Sequence, residues 1–574
     1  MAADRQDLPL LKRRPPWRRR GIGRLMLAVL AAGLAWRVVR YAVGFPLWGD
    51  EAFVAVNIIE RDFAGMLRPL EHAQIAPLGF LWAELAVARV LGHSEYALRL
   101  LPFAGGVAGL LLFWRFAAAA LGRRTALLAV AILAVAFYPV RHCTEVKPYA
   151  GDLLVSLILT ALAWRVHLRP GSSRRWAALT AVAAAAVWVS YPAALVAGGV
   201  GIFLLGDVLH RRAPRRVVPL GIYAAVVGAS FAATCFLYAH AQAAASPWYT
   251  EIDMWTQAFP PVAQPWRLPW WFLTIHTGNM MAYPCGGKNF GSTFTFLMVV
   301  VGCVALWRGG RGRLMWLLLA PLVPTFIAAA MRKYPYGGSA RISLYVAPAF
   351  CLLAGAGMGQ CLRWLLPKRL VLKGFGVAAA AIMAGAVVGI AEDSLHPYKF
   401  VGDVQNRDAI RQIAGQTARE DRWIVFNSIG GAAHAPALGP CGGEGARFRF
   451  YVDALSPCPV LWSPRPEQVR PVTRTIWLLR YRHYGGGSGD ELLRSYIDVL
   501  AGRLGPPAAV ERFELASPHP KDHPGPGVIE IYKFPPGGAT DARTRSADAA
   551  AWREPGGCTS VKEIAVQWRT SPES

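Results

Sequence analysis

The chain has 574 residues, 54% of them hydrophobic, with a mean hydropathy of +0.32 and a formal net charge of +26. Apolar residues come in long uncharged blocks such as LLAVAILAVAFYPV and GVAAAAIMAGAVVGI, which excludes an ordinary soluble domain and indicates a polytopic membrane protein. The surplus of Lys and Arg sits between those blocks, where membrane orientation explains it better than nucleic acid does, so no nucleic-acid partner is expected.

Residues 1–24 form a basic tail containing LKRRPPWRRRGIGR. The apolar segment that follows ends in RVVRYAVGF, which is no small-residue cleavage site, so it reads as a retained signal anchor with the tail in the cytoplasm. Further apolar runs lie near 77–91, 99–121, 125–140, 149–167, 176–191, 192–209, 217–239, 291–307, 313–330, 339–361 and 370–391. If all of them spanned, the loops LGRR, LRPGSSRR, HRRAPRR, WRGGRGR and LLPKR would face outward, against the positive-inside rule. One early run lying flat repairs every violation. PLGFLWAELAVARVL is short and carries Glu84 and Arg89, which makes it the candidate for an interfacial helix.

About eleven spans then remain, with residues 44–98, 141–148, 240–290, 331–338 and everything after 391 outside. Two of the outside segments, RHCTEVKPY and MRKYPYGGSAR, hold cations on the wrong side. A lipid phosphate or pyrophosphate would be their partner; contact with outer headgroups is the plainer alternative. The loop 240–290 contains SPWYTEIDMW and PWRLPWWFLTIHTGNMMAYP, whose aromatics suit an interfacial belt or the wall of a sugar site.

From Glu392 onward charge, Gly and Pro rise and no further span occurs. NRDAIRQIAGQTARE and ELLRSYIDVLAGRLG read as helices, and RWIVFN, TRTIWLLRYR, VERFELA and VIEIYKF as strands. A small external α/β domain over 392–535 is expected, then a polar, Gly-rich stretch over 536–574 without fixed structure. Cys441 and Cys458 would pair in an oxidising compartment, and no CxxC spacing marks a zinc site.

At the outer end of the first span stands FPLWGDEAF, with Asp50 and Glu51 adjacent. A helix N-terminus would favour one acid there through its dipole, but that reading leaves the segments that follow unexplained. Those segments are EHAQIAPLGFLW, LRLLPFAGG, RHCTEVKPYAGDLL and RKYPYGGSARISLYVAP. In this order and with this shared outside placement, residues 25–391 resemble the GT-C glycosyltransferases, nearest the protein O-mannosyltransferase, aminoarabinose transferase and RgtA/B/C/D-like group.

That resemblance implies a GT-C fold, with juxtamembrane helices in the first external loop, and an inverting transferase that moves a sugar from a polyprenyl-phosphate donor. Asp50 would be the catalytic base, with Glu51 beside it. Lys147, Arg332, Lys333 and Arg341, with Arg141 behind them, would meet the lipid phosphate, and Glu145 would orient the acceptor or Lys147. Tyr149 flanks one of the cationic turns. His72 stands in HAQIAP, where the family often has His-Pro-Pro, and serves either the substrate or the structure. Asp50, Glu51 and Glu145 could gather a divalent metal as in some relatives, but no cofactor is predicted. The alternatives are a flippase or transporter for lipid-linked saccharides, which the nearly charge-free spans and missing repeats oppose, and a non-catalytic receptor. Sugar and acceptor stay open among glycolipid, polysaccharide and protein.

Overall fold

The computed structural model describes residues 20–72, 74–245, 256–284, 291–397, 400–426, 442–462, 469, 474–482, 490–515 and 527–536. They fall into two units. The first takes in the described residues up to Gly44 together with Arg61–Pro397; the second takes in Phe45–Glu60 and the described residues beyond Tyr398.

The first unit is helical. Among the described residues nine helices are long and apolar enough to cross a membrane, or ten if the bent pair Arg123–Val135 and Phe137–Thr144 is one span. The expected eleventh, Ser173–Val189, has 17 residues. At 1.5 Å per residue it reaches about 26 Å, just short of a hydrocarbon core of about 30 Å. The run expected to lie flat is the helix Leu78–Leu91, whose 14 residues reach only about 21 Å. Leu78, Leu81, Leu85 and Ala88 form its buried stripe at helical spacing, and Glu84 lies on that stripe too. The acid therefore faces inward instead of marking the water side. Burial pushes its carboxyl well above the ordinary range.

The spans were expected to be nearly free of charge, and the first one corrects this. Arg37 and Arg40 are buried on the helix Arg20–Ala42. Arg37 exists to serve a broken neighbour. Pro139 has no N–H to donate to the carbonyl four residues back, so the segment bends by 55° between Val135 and Phe137. Carbonyls freed at such a break cannot find water inside the bundle. Arg37 donates to the carbonyl oxygens of Ala134 at 2.8 Å and Leu133 at 3.3 Å. Gly33, one turn earlier, lets the two backbones approach closely enough for that reach: a Cβ there would sit 2.8 Å from the Ala134 Cβ.

Small residues set the core packing elsewhere as well. Helices Gly291–Arg308 and Ala347–Leu365 cross with backbone against backbone. A Cβ at Gly302 would overlap the Leu353 carbonyl, and one at Gly357 would overlap the Met298 carbonyl. In lipid, where chains outside are as apolar as the helix surfaces, such close contact supplies much of the association.

The second unit holds a five-stranded sheet in the order β2-β1-β3-β5-β4. Its strands are β1 (Arg422–Phe426), β2 (Val460–Trp462), β3 (Ile476–Arg482), β4 (Ala509–Leu515) and β5 (Gly527–Phe534). β2, β1 and β3 run parallel, with Ile424 opposite Leu478; β5 and β4 are antiparallel additions. β1 and β3 are buried on both faces, which explains their uninterrupted apolar reading. Leu493, Tyr496, Leu500 and Leu504 of the helix Asp490–Leu504 pack onto Ile424, Leu478 and Phe534. The helix Gly442–Leu455 and β2 were not anticipated. Residues 246–255, Cys441 and with it the expected Cys441–Cys458 pair, and the stretch from 537 onward lie outside the described residues.

Candidate active site

The turn between the bent segment and the helix Tyr149–Leu168 carries Arg141, Glu145 and Lys147. Pro139 tips the chain over, a single 3-10 turn covers His142–Thr144, Glu145 is extended, and Pro148 precedes the next helix. In this compact path Arg141, His142 and Glu145 meet. Glu145 accepts from Arg141 Nε at 3.3 Å on one carboxylate oxygen and lies 2.7 Å from His142 Nδ1 on the other. It is only 2% exposed. Burial alone would raise its pKa, but His142, Arg141 and Arg40 outweigh that and hold the carboxyl well below the ordinary range. The Glu145 side chain is therefore engaged by Arg141 and His142, while its backbone carbonyl accepts from the Lys147 N–H at 2.7 Å.

Lys147 is buried two residues on and donates to Gln74 Oε1 at 2.6 Å. Gln74 in turn donates to the His72 carbonyl at 3.2 Å. His72 takes a left-handed backbone, with φ +58°, so its carbonyl turns toward Gln74. The structure thus brings His72 and Lys147 together through a residue that the sequence did not single out. Tyr149 lays its ring edge-on to His142 at 5.3 Å, with Tyr138 stacked on the imidazole at 5.9 Å.

Arg40 closes the turn from behind. Its Nε donates to Thr144 Oγ1 at 2.8 Å, its Nη1 pairs with Asp393, and its Nη2 reaches the Pro397 carbonyl at 3.3 Å. Arg40 thus pairs with Asp393, Arg141 with Glu145, and Lys147 with the neutral Gln74. Arg40, Asp393, His142 and Gln74 were missed. A buried charge inside a span was the available signal for Arg40 and Asp393, and the spacing of three to Glu145 was the signal for His142.

The second cationic turn follows the helix Leu322–Ala330. Arg332 and Lys333 are exposed, Arg332 with a left-handed φ of +54° and its guanidinium over the Phe259 ring at 5.6 Å. Arg341 is half-buried, and Tyr334 donates to the Ile342 carbonyl at 2.8 Å. Tyr345, four residues after Arg341, lies within electrostatic reach of Asp152 in the first turn of Tyr149–Leu168. Both cationic turns consequently stand at the same end of the bundle. Beside them Trp271, Phe272, Phe326, Tyr336 and His276 form one aromatic cluster, whereas Trp266 and Trp270 point outward in the manner of a belt.

Asp50 and Glu51 occupy the first turn of the helix Gly49–Glu60, which belongs to the second unit. Asp50 is half-buried; Glu51 is fully buried and accepts from the Trp48 backbone N–H at 3.3 Å. The helix rests on Gly442–Leu455 through a 2.5 Å pair between Arg449 and Glu60 and a 2.8 Å bond from the Leu47 N–H to Tyr451 Oη. Among the described residues no three His, Cys, Asp or Glu side chains gather around a point fit for a metal ion. Glu145, with Arg141 on one oxygen and His142 on the other, does not suit the divalent site considered for it.

Fold and sequence together define a polytopic α-helical membrane protein with a small C-terminal α/β domain. The family model for dolichyl-phosphate-mannose-protein mannosyltransferase matches residues 76–238, a stretch that includes the turn built around Glu145. That match bears out the resemblance to membrane glycosyltransferases of the GT-C superfamily. No curated protein matches the sequence. Among solved structures, ArnT from Cupriavidus metallidurans bound to undecaprenyl phosphate is similar at 14% identity and a TM-score of 0.49, over 88% of this chain and 97% of that one. The archaeal oligosaccharyltransferase AglB from Archaeoglobus fulgidus, in complex with an inhibitory peptide and a dolichol-phosphate, is similar at 12% identity and a TM-score of 0.45, over 84% of this chain and 69% of that one.

Proposed function

We propose that this protein transfers a sugar from a polyprenyl-phosphate donor to an acceptor hydroxyl, with inversion, at the external face of the cytoplasmic membrane. The observation that carries the reading is the turn 141–149. It lies inside the stretch that matches a dolichyl-phosphate-mannose-dependent mannosyltransferase family, and it carries Arg141, paired with Glu145, and Lys147, held by Gln74.

In this reading Asp50 takes the proton of the acceptor hydroxyl as its oxygen attacks the anomeric carbon. The bond from that carbon to the phosphate oxygen breaks on the opposite side, which inverts the centre. The charge left on the lipid phosphate is met by Lys147 and Arg141, with Arg332, Lys333 and Arg341 arriving from the second turn. Glu145 holds Arg141 and His142 in place. The buried charges of the first span do not favour transport, since Arg37 caps carbonyls and Arg40 pairs with Asp393.

The test is incubation of membranes with a panel of radiolabelled polyprenyl-phosphate sugars, comparing the native protein with Asp50→Asn. Label should enter one membrane fraction, and the substitution should slow its entry by about 10²–10⁴-fold while the protein still accumulates and folds. Transfer at the native rate by Asp50→Asn would remove the assignment of the base.

A further inference from the structure

The opposite end of the helix Tyr149–Leu168 carries a second charged assembly that glycosyl transfer does not use. Twenty residues at 1.5 Å each put it about 30 Å from the turn around Glu145, one bilayer core away. There Asp207, buried in the last turn of the helix Pro192–His210, is surrounded by three arginines and a histidine. Arg211 Nε donates to Asp207 Oδ1 at 2.9 Å, Arg313 pairs with the same oxygen, and His167 Nδ1 lies 3.1 Å from it. Arg216 stands 4.0 Å from Oδ2.

One carboxylate thus faces three guanidinium groups. The C-termini of two helices and the N-termini of two others, Val217–Thr234 and Gly312–Leu319, also meet there. Their dipoles, about half a charge each, cancel. Two positive charges remain in surplus. The side chains of Arg211, Arg216 and Arg313 are 27%, 25% and 36% exposed, so they are held in place yet reach the surface. Each guanidinium has five donors, and Asp207 engages few of them. Fixed forks with spare N–H groups suit phosphate oxygens. The wall next to them is apolar and outward-facing: Leu205, Leu209, Val218 and Ile222 are all between 48% and 68% exposed.

We propose that Arg211, Arg216 and Arg313, organised by Asp207, bind the phosphate of an anionic glycerophospholipid in the leaflet at that end, with its acyl chains along this apolar wall. A soluble phosphate would be drawn by the same cations but would gain nothing from the wall. Surface potential alone would attract anionic lipid to every basic loop equally.

The test uses the full-length protein in phosphatidylcholine nanodiscs doped with fluorescent phosphatidylglycerol or fluorescent phosphatidylcholine, read by energy transfer from the protein. The native chain should prefer phosphatidylglycerol by about ten-fold, and Arg211→Gln with Arg313→Gln should abolish that preference. Arg124→Gln with Arg174→Gln, equal in charge and exposed on the same face, should leave it intact. Arg216→Gln keeps every close partner of Asp207, so it serves should the double variant fail to fold; it should lower the preference several-fold. Equal losses in both pairs, no effect of Arg216→Gln, or displacement of the lipid by millimolar glycerol phosphate would each overturn the proposal.

Discussion

Glu145 shows how a buried carboxylate is held by its neighbours. It is an anion in a dry place, stabilised by the imidazole of His142 and the guanidinium of Arg141. Its folded pKa is below the ordinary value of 4.5, so the stabilisation it contributes is complete above that value and is lost as pH falls through the folded one. Glu145→Gln should reduce unfolding stability by about 3 kcal/mol at neutral pH, the cost of breaking a buried pair. Thermal unfolding across a pH series should show a constant gap between native and variant from about pH 8 to about pH 5, closing only below. A gap that shrinks already near pH 6 would mean that the carboxyl is not held below its ordinary range. At this scale the sequence disclosed the charged residues but not their partners. Arg141, Glu145 and Lys147 stood out because cations belong on the other side, whereas Gln74 joined Lys147 across a separation of 73 residues that no local spacing encodes.

Elements were legible wherever hydropathy and length decide, and obscure wherever a hydrogen bond or a distant contact decides. Every apolar run became helix, and Leu78–Leu91, the run expected to lie flat, is the short helix its length indicated. The break after Val135 did not, although Pro139 was in view, because counting apolar residues ignores which carbonyls lose their donors. The helix Gly442–Leu455 begins GGEGARFRF, a composition that reads as loop; its packing against Gly49–Glu60 overrides propensity. Glycines likewise looked interchangeable, yet Gly302 and Gly357 together permit the crossing of Gly291–Arg308 with Ala347–Leu365. Gly357→Val should cost about 3 kcal/mol or more, since backbone, unlike a side chain, cannot step aside. The check is the unfolding temperature in detergent, with Gly389→Ala, in open space, as the tolerated control.

For the whole molecule, the clustering of basic loops at one end was readable from the positive-inside rule, and the pairing of remote segments was not. Leu47 and Tyr451 are 404 residues apart, beyond the reach of any motif. The topology makes a direct prediction. A cysteine replacing exposed Lys333 should react with an impermeant maleimide in intact cells, and one replacing exposed Arg174 should react only after permeabilisation. Reaction of both from one side would undo the arrangement of the spans.

The seat of Asp50 has a practical corollary for deletion work. Val54, Ala55, Val56 and Ile58 are hidden on a helix whose resting place, residues 442–455, is contributed from beyond the last span. Trimming the protein back to Pro397 would strand that short helix with an oily flank bared to water. An inert truncate would therefore report the collapse of a pedestal, and would reveal nothing about whether the severed portion recognises an acceptor.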